Sequence, residues 1–313
     1  MKAVRIHQYG GPEVLQYEEA PRPKPQPGEV LIRVHAAGVN PIDWKVREGH
    51  LQDFFPHTFP LILGWDLSGV VEQVGAGPAA VGRFKIGDEV YSLPDPLRDG
   101  AYSEYIAVRE SEVALKPKSL HHGHAAAVPL AALAAWQALF DTAKLEPGQR
   151  VLIHAAAGGV GHFAVQLAKW KGAHVIATAS SRNHSVLREL GADETIDYTR
   201  QRFEDIAHNI DIVLDPIGDQ TQERSWQVLK EGGILLSLVE PPSADKAKAL
   251  GVRAAFVASH PNGAELAEIA EVIDSGNLKP IVNRILPLSE ARRAHELSQT
   301  GHTYGKIVLR VKE

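Results

Sequence analysis

Residues 151–161 read VLIHAAAGGVG, a short apolar run followed by a glycine-rich turn. The run is typical of a buried parallel strand, and residues 160–171 continue with the apolar spacing of a helix. The spacing G-x-G-x-x-G is met at Ala156, Gly158 and Gly161, with alanine at the first position. A tight turn here lets a pyrophosphate approach the backbone at the start of a helix, where free N–H groups favour an anion. The stretch therefore predicts a dinucleotide site, and the alternative is a tight strand–helix turn without a ligand.

The chain on either side of this turn divides into two regions of different character. After about residue 121, apolar runs alternate with helical patterns, which predicts a doubly wound parallel α/β sheet of the Rossmann type. Before that point the chain is β-rich and punctuated by Pro and Gly, which predicts a compact β barrel or sandwich. The predicted strands are 29–36, 68–75, 88–91, 102–108, 151–155, 174–179, 194–197, 210–215, 234–239, 281–287 and 306–311; the other predicted helices are 183–190, 220–230 and 263–275.

Length and composition agree with two domains. The chain has 313 residues, of which 44% are apolar, and this is enough to bury a core without disulfides. We predict a β-rich domain from residues 1–122 with 265–313, and a dinucleotide-binding domain from residues 123–264. A net charge of −5 argues against a nucleic-acid or anionic-membrane partner. The absence of cysteine excludes thiolate nucleophiles, iron–sulfur clusters and cysteine-bearing zinc sites.

No targeting segment is recognisable in the sequence. The first residues, MKAVRIH, carry charges at short intervals and no apolar core. The Ala-rich stretch at 125–140 is shorter than the roughly 20 residues of a membrane span. We therefore expect a cytoplasmic protein.

The end of the second predicted strand indicates which dinucleotide is bound. An NAD site needs a carboxylate for the ribose 2′-OH about 20 residues after the glycine turn. No acidic residue occurs between Pro147 and Arg188, and the strand is followed by Ser180, Ser181 and Arg182. Hydroxyls and a guanidinium suit a 2′-phosphate, so NADPH is the favoured cofactor. The alternative is that one of the serines only caps the next helix.

Several motifs carry a resemblance to a known family, in family order and over nearly the whole chain. They are GGPEVL at 10–15, GVNPID at 38–43, GWDLSG at 64–69, GDEVY at 87–91, GAYSEY at 100–105, the glycine turn at 155–161 and GHTYGKIVL at 301–309. With them the chain resembles the quinone oxidoreductases and plant enone reductases, a zinc-free branch of the medium-chain dehydrogenase/reductase superfamily. The resemblance implies a Rossmann domain, a β-rich GroES-like catalytic domain and a homodimer.

The resemblance also assigns residues to the cofactor. It places the pyrophosphate at the backbone of the glycine turn, the 2′-phosphate at the serines and Arg182, and the nicotinamide end at the segment containing Asn40 and Lys45. The implied cofactor-binding residues are Lys45, Ala157, Gly158, Gly159, Val160, Ser180, Ser181, Arg182, Tyr198, Leu236, Phe256, Val257, Gly305 and Lys306. Core packing is an equal alternative for the apolar residues of this set, and a solvated surface position is an equal alternative for Lys45.

The positions of the zinc ligands in related alcohol dehydrogenases are altered here. They correspond to Asn40, Trp65 and Asp66, of which only the carboxylate of Asp66 could bind a metal. Without a Lewis acid, a conjugated acceptor is favoured, because a quinone or enone spreads the charge that a hydride brings. We therefore predict no metal site. The histidines at 121, 122 and 124 are interpreted as a polar surface segment.

The candidate catalytic residues are Asn40, Lys45, Trp65 and Tyr102. Tyr102 is a candidate proton donor, although a tyrosine in a Gly-Ala-Tyr turn is more often structural. Of the aromatic residues Trp44, Trp65, Phe54 and Phe55, we expect two to wall the substrate pocket.

The sequence thus predicts an NADPH-dependent oxidoreductase that passes a hydride to a small-molecule quinone or enone without zinc. The lysine-bearing segment NPIDWK at 40–45 favours the enone. The main alternative is a non-catalytic NADPH-binding protein, either a redox sensor or a structural protein. A zinc alcohol dehydrogenase is the remote alternative.

Overall fold

The computed structural model describes residues 1–75, 82–301 and 303–312, so His302 of the GHTYGKIVL motif lies outside the described residues. The chain forms two compact units. The first unit contains Met1–Leu133, His260–Gly276 and Pro280–Glu313, and the second contains Ala134–Ser259 and Asn277–Lys279.

The second unit is built on a parallel sheet of six strands. In chain order the strands are β9 (Arg150–Ile153), β10 (His174–Ala179), β11 (Glu194–Asp197), β12 (Ile210–Asp215), β13 (Leu229–Ser237) and β14 (Arg253–Phe256), with helices α4 (Gly161–Trp170), α5 (His184–Glu189), α6 (Asp219–Ser225) and α7 (Ala244–Ala249). The spatial order is β11-β10-β9-β12-β13-β14, with all neighbours parallel. This order confirms the predicted doubly wound sheet, and its direction reverses between β9 and β12, where such sheets bind ligands.

The first unit is β-rich, as the sequence predicts. Its strands are β1 (Lys2–Ile6), β2 (Gln16–Glu19), β3 (Glu29–Val39), β4 (Leu61–Ile62), β5 (Leu67–Val74), β6 (Glu89–Ser92), β7 (Tyr105–Arg109), β8 (Val113–Leu115), β15 (Val282–Pro287) and β16 (Lys306–Arg310). Its helices are α1 (Pro41–Arg47), α2 (His122–Ala125), the start of α3 (Pro129–Trp136), α8 (Gly263–Asp274) and α9 (Ala291–Gln299). One sheet has the order β2-β1-β4, and a larger one has the order β15-β16-β3-β5-β6-β8, with β7 also paired to β3.

The boundaries of the units fall at 133/134 and 259/260 instead of the predicted 122/123 and 264/265. Helix α2 packs on β3 and β5, which keeps it in the first unit. At the other boundary, a Cβ on Gly263 would lie 2.5 Å from the carbonyl oxygen of Val113, so the start of α8 lies directly on β8. Both differences arise from packing between residues distant in sequence.

One predicted helix is shorter than expected. The helix predicted over 220–230 ends at Ser225, and β13 begins at Leu229. Between them Trp226 and Val228 enter the core of the second unit, where they pack with Leu152, Val213 and Leu235 among others. Burial of these two side chains therefore overrides the helical pattern.

The described residues contain no helix that is both long enough and apolar enough to cross a bilayer.

Candidate functional site

The glycine turn lies at the carboxyl end of β9. Ala155 has a positive φ of 45°, which makes the turn tight without a glycine at that position. A Cβ on Gly161 would lie 2.4 Å from the carbonyl oxygen of Ala155 and 2.6 Å from the Cα of Ala156. A Cβ on Gly158 would meet only the Ala155 oxygen, at 3.1 Å. Gly161 therefore permits close packing of helix on strand, whereas Gly158 borders open space that an approaching phosphate could use.

Several backbone donors of this turn are free. Within the described residues, the N–H groups of Ala157, Gly159 and Val160 donate no hydrogen bond, whereas the N–H of Gly158 donates to the carbonyl of Ala155 at 2.8 Å. Helix α4 begins directly afterwards, at Gly161. Three free donors and the positive end of a helix dipole favour a bound anion at this point. The residues present thus fit the pyrophosphate of a dinucleotide.

The side chain of His154 links the start of the glycine turn to neighbouring elements of the second unit. Its Nδ1 lies 3.1 Å from the hydroxyl of Thr178, and its Nε2 lies 2.9 Å from the hydroxyl of Ser225. The Ser225 hydroxyl donates to the carbonyl of Thr221, so it accepts from a protonated Nε2. Burial lowers the pKa of His154 to about 3, so the ring is neutral and joins β9, β10 and α6 below the site.

The residues that follow β10 form the edge of the same site. Asp197 Oδ1 accepts from the Thr199 backbone N–H at 3.0 Å and from the Thr199 hydroxyl at 2.7 Å, and the bond to this hydroxyl is the main cause that lowers the pKa of Asp197. Arg182 is exposed, and its guanidinium forms no ion pair with any described residue. Ser180 accepts a long bond of 3.4 Å from the side chain of Asn183. This edge therefore offers a free cation.

The four apolar or aromatic residues that the resemblance assigned to the cofactor lie at the carboxyl ends of the second unit's strands. Tyr198 follows β11 and is 55% exposed, and Phe256 ends β14 and is 45% exposed. Leu236 and Val257 are buried. The two exposed rings are available to a ligand by their side chains, whereas Leu236 and Val257 could contact it only through the backbone.

A buried polar cluster occupies the first unit. It consists of Asn40, Asp43, Asp66, Tyr102 and Lys306, each at most 3% exposed. Burial of charges at this depth is costly unless they are paired and hydrogen-bonded, so the contacts within the cluster decide its chemistry.

Asp66 is the central acceptor of this buried polar cluster. Its Oδ1 accepts from the backbone N–H of Leu130, near the start of α3, at 2.6 Å. Its Oδ2 accepts from Asn40 Nδ2 at 2.8 Å and from Lys306 Nζ at 3.0 Å. Lys306 also donates to Asn40 Oδ1. Lys306, which the resemblance assigned to the cofactor, is thus engaged with side chains of the first unit.

Asp43 is the second carboxyl of the buried polar cluster. Its Oδ2 accepts from the Asn40 backbone N–H at 2.7 Å and from the Tyr102 hydroxyl at 2.8 Å. Its Oδ1 has no hydrogen-bond partner among the described residues. Desolvation outweighs these bonds and raises the pKa of Asp43 to about 7. Burial and the neighbouring Asp43 likewise raise the pKa of Tyr102 well above its usual value.

The position of Tyr102 corrects its predicted role as a proton donor. The residue is fully buried, and its hydroxyl proton is already donated to Asp43. A Cβ on Gly64 would lie 2.2 Å from the Tyr102 ring, so the surrounding chain packs directly against it. Tyr102 is therefore a core residue that supports Asp43, and its raised pKa opposes loss of the proton.

Trp65 is also placed in the core. It is fully buried, its indole N–H donates to the carbonyl of Arg98 at 3.1 Å, and its ring stacks on His57. The predicted contact of Trp65 with substrate is therefore corrected, because no face of the ring is accessible. Of the other predicted aromatic residues, Phe54 is 76% exposed and Phe55 is partly buried.

Lys45 lies on α1 and is partly buried. Its ammonium forms no ion pair with the described residues and lies 5.8 Å from the centre of the Trp44 ring. The indole nitrogen of Trp44 is buried without a hydrogen-bond partner in the described part of the chain. Lys45 and Trp44 thus carry donors that the protein itself does not use.

The residues at the positions of the zinc ligands of related alcohol dehydrogenases are engaged in the interactions just given. The amide of Asn40 and the carboxylate of Asp66 bond to Lys306, and Trp65 bonds to a carbonyl. Across residues 1–75, 82–301 and 303–312, no group of three or more His, Asp or Glu side chains is arranged to hold a metal ion.

Sequence reasoning did not assign roles to Asp43, His154 or Leu130. His154 interrupts an otherwise apolar run, which is the one available signal, whereas Asp43 lies in a segment with other polar residues. The N–H of Leu130 could not be recognised, because its contact with Asp66 depends on the meeting of α3 with the end of the loop before β5.

Comparison with protein families agrees with both units. A family model described as alcohol dehydrogenase GroES-like domain matches residues 26–118, and one described as zinc-binding dehydrogenase matches residues 190–309. These matches confirm the predicted combination of a GroES-like domain with a Rossmann sheet.

Comparison with individual proteins gives high coverage. The chain is 38% identical to an Arabidopsis thaliana chloroplastic NADPH-dependent alkenal/one oxidoreductase, over 99% of this chain and 79% of the relative. It is 38% identical to the quinone oxidoreductase of Coxiella burnetii, with a TM-score of 0.90 over 100% and 99% of the two chains. A mycobacterial protein, Rv1454c, whose structure is a complex with NADPH, is 30% identical, with a TM-score of 0.89 over 99% and 100% of the chains.

Proposed function

The chain belongs to the medium-chain dehydrogenase/reductase superfamily, and on that premise we propose that it is an NADPH-dependent oxidoreductase acting without zinc on a quinone or an α,β-unsaturated carbonyl compound. Relatives named as an alkenal/one oxidoreductase and as a quinone oxidoreductase support this class of activity. The observation that carries the proposal is the set of free backbone donors at Ala157, Gly159 and Val160, directly before α4.

These donors are suited to a pyrophosphate. The free N–H groups lie directly before the helix start, and the open space beside Gly158 leaves room for phosphate oxygens. Each charge-assisted bond of this kind contributes about 1.5–3 kcal/mol. Binding of the diphosphate therefore requires no rearrangement of the turn.

The preference for NADPH rests on Arg182. Its guanidinium is exposed and without an ion pair among the described residues. A 2′-phosphate accepts parallel bonds from a guanidinium, whereas the 2′-OH of NADH gives it no charge to bind. Asp197 does not oppose this preference, because its Oδ1 is held by the backbone and the hydroxyl of Thr199.

A conjugated acceptor follows from the side chains of the first unit. Asn40 and Trp65 replace residues that would bind zinc, and an amide and an indole are poor zinc ligands. Reduction of an isolated carbonyl would leave an alkoxide without a Lewis acid, whereas an enolate or hydroquinone anion spreads its charge. When bound, NADPH supplies a hydride to the β-carbon of an enone or to a quinone and leaves as NADP⁺, and one proton from solvent completes the product.

The protein residues then have the task of positioning. We assign Lys45 to the bound cofactor or substrate, because its ammonium has no carboxylate partner in the described chain. We assign Asn40 to the oxygen of the acceptor, because only one of its two amide protons is used within the buried polar cluster. Donors aimed at a developing oxyanion are among the largest single contributions to catalysis.

The test is NADPH oxidation with benzoquinone, phenanthrenequinone and pentenone in parallel, each repeated with NADH and with added zinc. We expect turnover with NADPH and at least one acceptor, and no stimulation by zinc. A saturated ketone as product would identify an enone reductase, and turnover of the quinones alone would identify a quinone reductase.

Two results would contradict the proposal. Binding of NADPH without turnover of any acceptor would favour the non-catalytic redox sensor. Equal rates with NADH would remove the role of the 2′-phosphate. The cytoplasmic location and the homodimer stay predictions, the second of which light scattering can check.

A further inference from the structure

The charges of the buried polar cluster fix the orientation of the Asn40 amide. A lysine ammonium can only donate, so the Asn40 atom facing Lys306 must be the oxygen. An ionised carboxylate can only accept, so the atom facing Asp66 at 2.8 Å must be the nitrogen. If the amide were rotated by 180°, its NH₂ group would face the Lys306 ammonium and its oxygen would face the Asp66 carboxylate, and neither pair could form a hydrogen bond. Lys306 and Asp66 therefore act as two ends of a clamp on the Asn40 side chain.

The bonds to Lys306 and Asp66 leave one amide proton of Asn40 without an acceptor in the described part of the chain. Asn40 Nδ2 carries two protons, and one is donated to Asp66. No other described residue accepts from Asn40, and the residue is 3% exposed. Lys306 at the amide oxygen withdraws electron density, which makes the remaining N–H a stronger donor.

We propose that Lys306 is a positioning residue, which orients and polarises Asn40 so that its free N–H meets the oxygen of the hydride acceptor. This inference rests on the proposed function for the reaction itself. It differs from the role that the resemblance implies, in which Lys306 binds the cofactor. The two roles predict different kinetic effects of the same substitution.

The first variant is Lys306→Met, which removes the cation and keeps most of the side-chain volume. Its matched control is Lys116→Met, because Lys116 is also a buried lysine of the first unit, ion-paired to Glu89 at 3.3 Å, and does not touch the buried polar cluster. For Lys306→Met we expect kcat to fall by about tenfold or more, with the Kd for NADPH within about twofold of wild type. For Lys116→Met we expect kcat to be unchanged in the folded fraction.

Lys306→Met alone leaves Asp66 as an unpaired buried charge and can reduce folding. The double variant Lys306→Met with Asp66→Asn removes both charges with nearly the same shape. We expect it to recover the thermal stability lost in the single variant but not kcat, because no ammonium then polarises the Asn40 amide. Recovery of both stability and kcat would overturn the inference, since the pair would then be only structural.

A second result would also overturn the positioning role of Lys306, namely evidence that Lys306 binds the cofactor. A rise of about tenfold in the Kd for NADPH, with kcat unchanged at saturating NADPH, would assign Lys306 to the cofactor.

A measurement without turnover separates this inference from the proposed function. In ¹⁵N-labelled protein, the side-chain amide protons of Asn40 should exchange with solvent faster in Lys306→Met than in wild type and in Lys116→Met. Unchanged exchange would overturn the positioning role even in an active enzyme. Faster exchange in a protein that turns over no acceptor would support the positioning role while the proposed function fails.

Discussion

The glycine turn and the buried polar cluster make opposite use of hydrogen bonds. In the turn of the second unit, the donors of Ala157, Gly159 and Val160 are backbone groups left free, and the shape is set by eleven consecutive residues, 151–161. In the buried polar cluster of the first unit, Asp66 accepts from the side chains of Asn40 and Lys306 and from the backbone N–H of Leu130, three places distant in the sequence. The first arrangement is prepared for a ligand from outside. In the second arrangement the charged groups bond to one another, and one amide proton of Asn40 remains without an acceptor among the described residues.

The two sites differ in whether the folded protein must desolvate their polar groups before a ligand binds. Free N–H groups at a helix start remain solvated until a phosphate replaces water, so they cost the fold little. Buried carboxylates are desolvated whether or not a ligand is present, so the fold bears the cost at all times. We therefore expect substitutions in the buried polar cluster to affect stability first, and substitutions at the glycine turn to affect binding first.

The largest expected effect is the pH dependence introduced by Asp43. Its pKa is raised from 3.8 to about 7, so the folded protein holds a proton that the unfolded chain has lost above about pH 4. Stability from this group is therefore full below the unfolded pKa and is lost as the pH rises toward the folded pKa. At 1.36 kcal/mol for each pKa unit, the span is about 4 kcal/mol.

Urea unfolding of wild type and Asp43→Asn at about pH 4 and about pH 8 measures this effect. Groups that face Asp43, namely Tyr102, Asp66 and Lys306, are the same in both proteins, so their titration largely cancels in the difference. We expect the stability of the variant relative to wild type to increase between the two pH values. A difference independent of pH would show that Asp43 is ionised in the folded state.

The substitution Gly161→Ala tests the glycine turn. The new Cβ would lie 2.4 Å from the Ala155 oxygen and 2.6 Å from the Ala156 Cα, so helix and turn must separate. Overpacking of this kind costs about 1–3 kcal/mol. We expect fluorescence titration to show NADPH binding weakened by about tenfold or more.

Gly158→Ala is the matched control, because its Cβ would meet only one atom, at 3.1 Å. It should keep the thermal stability of wild type. Equal loss of stability in both variants would mean that the turn tolerates no side chain anywhere, and the special role of Gly161 would be wrong.

The smallest effect is expected for Arg182→Ala. Loss of an exposed guanidinium should weaken NADPH by about tenfold, or about 1.4 kcal/mol, and leave NADH nearly unchanged. The control is Arg188→Ala, because Arg188 is a nearby exposed arginine on α5 that bonds to Thr195. Titration of each variant with both cofactors is the measurement, and equal weakening of NADPH and NADH by Arg182→Ala would refute the 2′-phosphate contact.

The same contrast explains how far the sequence could be interpreted. The strand, turn and helix at 151–161 were predictable because backbone geometry and apolar periodicity are local properties. The doubly wound parallel sheet of the second unit was predictable from the alternation of strands and helices, whereas its sixth strand, β14 (Arg253–Phe256), was not predicted. The end of the helix at Ser225 was not predictable in this way, because burial of Trp226 depends on the rest of the core.

The buried polar cluster was only partly predictable. Asn40, Tyr102 and Lys306 were selected through the resemblance, but their partners were not. The resemblance assigns Lys306 to the cofactor by its place on the C-terminal strand, and only the pairing of β16 with β3 shows that it enters the first unit's core. The sequence likewise does not show that Trp65, a candidate wall of the substrate pocket, and Tyr102, a candidate proton donor, are both fully buried.

The order in which the chain is synthesised has a consequence for the first unit. Strand β3 pairs with β16, so Val39 must find Ile307 across almost the whole length of the chain. At translation rates of about 5–20 residues per second, Val39 waits roughly 15–50 s for its partner. The strands of the second unit all lie within residues 150–256, and that unit can form its sheet first. During this interval Asp66 has no Lys306, which makes the unfinished β-rich unit the part of the nascent chain most dependent on protection from aggregation.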